Sequence, residues 1–184
     1  LAAFLQREDV RDAFVSPRAA GLRELAAGAV VGTASLRRQA QLLAARPDLR
    51  VTMLRGNVQT RLSRVRGGEV AASLLALAGL RRLGLESAAA VVLDPEAMVP
   101  AAGQGIVGIT VRASDTYLHE LLAAIEDREA AAVSTAERAL LAALDGSCRT
   151  PIGGHARLLP GGELHLTGLV ARPDGSFLLK RSAV

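Results

Sequence analysis

Arginine and one thiol are the groups in this sequence with the most chemistry to offer. Of 22 basic residues every one but Lys180 is arginine, and the formal net charge is +4. Base composition in an Ala-, Leu- and Gly-rich chain is one origin of such a bias. The other is a need for planar guanidinium groups, which grip a carboxylate or phosphate through two parallel N–H bonds as an ammonium cannot. Two short stretches concentrate them. In "GTASLRR" a helix opens at Ser35 with Arg37 and Arg38 in its first turn, and in "LRGNVQTR" Arg55 and Gly56 occupy a turn with Arg61 on the following helix. Cations in a first turn oppose the helix dipole, whereas the free N–H groups there attract anions, so arginines at two such turns call for a compensating anion. Two solvated basic helix faces are the plainer alternative.

The thiol is Cys148, the only cysteine, in "DGSCRTPIGG". One cysteine forms no internal disulfide, and a lone cysteine is ordinarily an inert small hydrophobe. Its setting argues for reactivity instead. Gly146, Ser147 and Gly153 allow a tight turn, and Arg149 beside the sulfur favours the thiolate that S-alkylation requires. A redox-sensing thiol is a third reading. His119, His155 and His165 have neither metal-ligand nor triad spacing, so no metal site is expected.

These groups need a scaffold, and its rhythm is βαβαβ. The pattern predicts a strand over Ala29–Thr33, a helix over Ser35–Ala45 ended by Pro47, a strand over Val51–Leu54, and a helix over Val58–Val65 capped by Asn57 and stopped by Gly67 and Gly68. A third strand over Ala71–Leu77 is apolar enough to be buried on both faces, as in a parallel sheet between helices. In the first helix Leu36, Leu42 and Leu43 fall near one stripe and Arg37, Arg38 and Gln41 outside it. The glycine-rich "AAGQGIVGITVR" leads into a strand over Ile106–Val111, a helix follows over Glu126–Leu144, and alternating residues around Pro160-Gly161-Gly162 and Pro173-Asp174-Gly175 read as a three-stranded antiparallel meander. The expected fold is therefore α/β, a parallel-sheet domain over 1–100, a crossing segment over 101–126, and a small α+β domain over 127–184.

Composition narrows the function. Half of the residues are hydrophobic, enough for a real core, yet no run reaches the roughly 18 apolar residues of a membrane span. The opening "LAAFLQRED" has no signal-peptide pattern, so a cytoplasmic protein away from membranes is expected. Aromatic residues are 2% of the chain, which leaves almost no stacking surface for bases, and the arginines are scattered among acids, so nucleic acid is not an expected partner.

The segments "REDVRDAFVS", "VGTASLRRQAQL", "RPDLRVTMLRGNVQTRL", "LALAGLRRLGL", "PAAGQGIVGI", "AERALLAALDGSCRTPIGGHA" and "GLVARPDGS" together resemble the porphobilinogen deaminases, or hydroxymethylbilane synthases, over essentially the whole chain. The resemblance implies a transferase of tetrapyrrole and heme biosynthesis. Such an enzyme joins four porphobilinogen units, with loss of ammonia, into linear hydroxymethylbilane on a dipyrromethane primer held as a thioether, here by Cys148. It implies that Thr33, Ser35, Arg37, Arg38 and Gly56 hold the cofactor's side chains. Gln104 would line the same cleft, and Arg55, Arg61 and Arg82 would engage substrate or the growing chain. The family fold has periplasmic-binding-protein-like domains, of which 1–100 would be the second, and a monomer is expected of the complete protein. The family's catalytic aspartate falls ahead of Leu1, so no residue here takes that role, and Asp9 and Asp12 match a different segment. Without the domain that carries that aspartate, the Ile106–Val111 strand is expected as an apolar edge, and the chain as an inactive fragment or a non-catalytic carboxylate-binding module on the same fold. Ala34 stands where serine is usual, and Ala71 stands where aspartate is common, with weaker hydrogen bonding near the cleft expected from the second.

Overall fold

The computed structural model describes residues 1–147 and 149–184; Cys148 lies outside the described residues. A five-stranded sheet organises the first part. Its strands are β2 (Asp12–Val15), β3 (Val30–Gly32), β4 (Arg50–Thr52), β5 (Ala72–Ala76) and β6 (Val91–Val92), in the order β4-β3-β5-β2-β6. β3 runs parallel to both β4 and β5, as the βαβαβ rhythm predicts. β2 is antiparallel to its neighbours β5 and β6, with Asp12 opposite Ala76. These two strands have no counterpart in the sequence reading. Both are short and pair antiparallel, so a search for parallel strands alternating with helices passes over them.

Helices α1 (Leu36–Ala45), α2 (Val58–Arg66) and α3 (Leu77–Arg82) flank the sheet. The Ser35 side chain accepts from the N–H of Arg38 and the Asn57 side chain from that of Thr60, so both helices start at polar caps. One core layer joins Val15, Leu54, Leu62, Val65, Leu75 and Leu80; the other joins Phe14, Val31, Leu42, Leu49, Leu74 and Met98. Helix α1 departs from its predicted face. Arg37, Arg38 and Gln41 are buried, whereas Leu36 and Leu43 are half-exposed. A helix that covers polar strand ends must turn polar groups inward, and the stripe of leucines does not record that.

The strand expected over Ile106–Val111 is reduced to β7 (Gly108–Ile109), which pairs antiparallel with β1 (Ala3–Phe4). The expected bare edge thus has a partner within the chain. A helix absent from the sequence reading, α4 (Thr116–Ala123), precedes α5 (Arg128–Ala143), which is capped by Asp127. The meander is as predicted: β8 (Ile152–Leu158), β9 (Leu164–Ala171) and β10 (Leu178–Ala183) form an antiparallel sheet in that order. Ala40 of α1 and Val99 pack with Leu169 and Ala171 of β9, which joins the two parts through apolar contact. No helix among the described residues is long and apolar enough to cross a membrane.

Candidate functional site

A cleft of about 400 Å³ opens where the C-terminal ends of the parallel strands meet the turn after α5. Ser35, Arg37 and Arg61 form one wall, Ala101 and Ala102 the base, and Ser147 and Thr150 the other wall. The flanks of Cys148 therefore border the same cavity as the arginine turns. Locally that turn is self-supporting: the N–H of Ser147 donates to Thr150 Oγ1 at 2.7 Å, and Thr150 Oγ1 donates back to the Ser147 carbonyl at 2.8 Å. A side chain at Gly146 would meet Leu141 Cδ2 at 2.6 Å and the Leu141 carbonyl oxygen at 3.2 Å, so glycine leaves room for the Leu141 side chain where the chain leaves α5.

Behind the first wall lies a buried cluster of charge. Arg37 and Arg38 are 4% and 8% exposed, and both donate to Asp12, which is 0% exposed. Arg37 Nη2 reaches Asp12 Oδ2 at 2.8 Å and Arg38 Nη2 reaches Oδ1 at 2.7 Å. Burial alone would raise the Asp12 carboxyl pKa, but Arg38 and Arg37 outweigh it and hold the group below its ordinary value. Two guanidiniums against one carboxylate leave one buried positive charge. The Nε atoms of Arg37 and Arg38 are moreover buried without a hydrogen-bond partner among the described residues. Arg61 adds a third cation, its pKa lowered by burial and then by Arg38, and among the described residues no carboxylate pairs with it. Its Nε donates to the Gly56 carbonyl at 2.9 Å, which spans the second arginine turn. Gly56 has φ +117°, and a Cβ there would meet Thr60 Cγ2 at 2.9 Å, so glycine fits both the backbone and the packing.

The sequence-predicted residues divide into three groups. Ser35, Arg37 and Arg61 are on the cleft, and Arg38 lies behind it against Asp12. Thr33 is buried with Oγ1 accepting from the N–H of Ser35 at 3.1 Å, so it shapes the turn. Arg55 and Gly56 are exposed on the β4–α2 turn, outside the cleft lining. Arg82 is exposed and donates to the Gly105 carbonyl at 2.9 Å. Gln104 was expected on the cleft wall, but its amide turns to the buried cluster: Nε2 donates to the Val10 carbonyl at 2.7 Å and to Asp12 Oδ1 at 2.9 Å. Ala71 lies before β5, at the opposite end of the sheet from the cleft, so the weaker hydrogen bonding expected near the cleft does not arise.

Two residues escaped the sequence reading. Asp12 is one, although a carboxylate opening the wholly buried "DAFV" is a signal that a buried cation faces it. Glu137 is the other. It is 0% exposed, receives Arg7 Nη1 at 2.7 Å and Nη2 at 3.2 Å, and accepts from the N–H groups of Gly103 and Ala156. A glutamate past the first turn of the Ala-rich α5, where the helix dipole gives it no support, is a comparable signal.

This geometry defines a class: a mixed α/β unit with a cationic cleft at its strand ends, coupled to a small α+β unit whose turn closes the cleft. Residues 1–120 match the family described as porphobilinogen deaminase, dipyromethane cofactor binding domain, and residues 131–182 match porphobilinogen deaminase, C-terminal domain. Among curated relatives, the porphobilinogen deaminase of Nitrobacter hamburgensis is 55% identical over 96% of this chain and 55% of its own length, and that of Paracoccus denitrificans 53% identical over 98% and 58%. The chain belongs to the porphobilinogen deaminase family. It spans about half the length of the curated relatives it matches.

Proposed function

We propose that this chain is the cofactor-holding part of a transferase that builds hydroxymethylbilane from four porphobilinogen units, releasing ammonia at each addition. In this reading 1–100 binds the carboxylates, 101–126 crosses between parts, and 127–184 carries a dipyrromethane primer as a thioether on Cys148. When bound, the primer supplies a nucleophilic pyrrole carbon that is extended one ring at a time. The observation that carries the reading is the shared cleft, with arginine turns on one side and the flanks of Cys148 on the other. The donor set fits such a group. Each pyrrole brings an acetate and a propionate, and the cluster behind the wall has one uncompensated positive charge and two unpartnered buried N–H donors.

The chain's own residues bind and orient. Arg37 and Ser35 meet side-chain carboxylates at the α1 terminus, Arg38 supplies field from behind them, and Thr33 and Gly56 shape the turns. Gln104 acts through Asp12. Arg61 on the cleft, with Arg55 and Arg82 outside it, receives incoming or lengthening chains. A cytoplasmic monomer that uses neither nucleic acid nor a membrane belongs to the same reading.

Incubation with porphobilinogen followed by intact mass measurement tests it. A stable gain of two linked pyrroles, lost in Cys148→Ser, is the expected result. A chain that takes up no pyrrole even when supplied with the remaining portion of a full-length relative would instead be a carboxylate-binding module.

A further inference from the structure

Asp12 is not one of the residues through which the family resemblance reads the site, yet it touches more of the cleft's machinery than any of them. Its two oxygens receive Arg37, Arg38 and Gln104 at 2.8, 2.7 and 2.9 Å. Gln104 also accepts from Arg37 Nη2 through Oε1 at 3.3 Å, which closes a ring of contacts among three side chains. The remaining end groups are tied to the backbone: Arg37 Nη1 to the Val99 carbonyl at 2.6 Å and Arg38 Nη1 to the Leu74 carbonyl at 3.1 Å. Asp12 itself is fixed by the pairing of β2 with β5 in mid-sheet.

We propose that Asp12 is a positioning residue of the carboxylate site: held by Gln104, it fixes the Arg37 and Arg38 guanidiniums in one orientation and limits the pair to a single net positive charge. The inference rests on the reading of the cleft as a carboxylate site. Two adjacent arginines with no acid between them would repel each other and attract any anion without regard to its shape. With Asp12 between them, Arg37 meets a ligand carboxylate on the cleft from a fixed position while Arg38 is held behind it, and preorganised charge is the more selective kind.

The two effects have opposite signs in one variant, which makes the idea testable. Asp12→Asn keeps the size and some hydrogen bonding while adding one net positive charge. Citrate, followed by its stabilisation of the melting transition, is the non-specific probe; pyrrole loading of Cys148 from porphobilinogen, followed by intact mass, is the specific one. Asp12→Asn is expected to tighten citrate binding by about 3-fold or more, because the added charge acts in a poorly screened site. It is expected to slow loading by about 10-fold or more, because the guanidiniums lose their alignment. Asp12→Glu should return citrate binding to the wild-type value. A residue that only stabilises the fold would weaken both together, and that result, or unchanged loading, overturns the proposal. If Asp12→Asn does not fold, Gln104→Ala removes one of the three donors without altering charge. It should slow loading and leave citrate binding unchanged, and unchanged loading there also counts against Asp12. Absence of pyrrole uptake in the wild-type chain would defeat the proposed function alone, because the citrate comparison still decides whether Asp12 sets the charge of the pair.

Discussion

Two buried ion clusters lie on either side of the "AAGQG" turn, and they differ in one respect that separates a candidate site from a structural lock. Around Asp12 two guanidiniums share one carboxylate, and both Nε donors have no partner among the described residues. Around Glu137 one guanidinium meets one carboxylate, and the same carboxylate also accepts from Gly103 and Ala156. Arg7 completes its own set through Nε, which donates to the Gln104 carbonyl at 3.0 Å. The second cluster is complete within the chain and ties together the N-terminal segment, α5, β8 and the turn. The first has positive charge and N–H groups to spare. A fold that leaves buried donors idle incurs a cost, and such a cost persists where a ligand relieves it.

The sharpest way to break this comparison is to remove the balanced carboxylate. Glu137→Ala leaves Arg7 uncompensated and two backbone N–H groups without an acceptor, so a loss of about 3–5 kcal/mol is expected from urea unfolding. Glu137→Gln keeps one acceptor oxygen and should lose less. If Glu137→Ala were tolerated, the lock would be no lock, and the contrast with Asp12 would fail. The turn between the clusters gives the next effect. Gly105 has φ +88°, and a Cβ there would press into the Glu8 carbonyl oxygen. Gly105→Ala should therefore cost about 2–3 kcal/mol. Because Gly103 serves Glu137 and Gln104 serves Asp12, it should also weaken the pairing on both sides, visible as shifted amide resonances at Gly103 and Ala13. A shift on one side only would show that the clusters are independent.

The contrast also marks how far the sequence could be read. Caps and turn residues were legible because their cause is local: Ser35 and Asn57 each satisfy an N–H three residues on, and Gly175, with φ +74°, turns β9 into β10. The grouping of the α1 arginine turn with Arg61 was legible because a helix N-terminus is a local feature too, and Ser35, Arg37 and Arg61 line one cleft. Asp12 and Glu137 were not. Each works through partners 19 to 130 positions away, and nothing in their immediate neighbourhood records those partners. Burial of Arg37 and Arg38 was hidden for the same reason, since only the arrival of β2 beneath α1 makes an arginine face an interior one. The true partner of β7 was also non-local, because β1 lies about a hundred residues earlier.

The smallest expected effect tests whether the lock is balanced in field as well as in charge. His155 on β8 is half-buried beside Arg7, and its pKa is lowered first by burial and then by the Arg7 charge, with Arg157 adding to the shift while Glu137 and Glu96 oppose it. Arg7 is thus still felt at His155 despite its bond to Glu137. An imidazole whose folded pKa lies below the ordinary 6.5 binds its proton more readily in the unfolded chain. Stability contributed by the neutral ring is therefore complete above pH 6.5 and declines as pH falls through the folded value. His155→Gln should flatten that decline, so that the variant's melting temperature relative to wild type is about 1–2 °C higher at pH 5.5 than at pH 7.5. Arg7→Gln should bring the His155 titration back toward its ordinary range, followed by the ring proton resonances. If the titration stays where it was, burial alone sets it, and Glu137 cancels Arg7 at that distance.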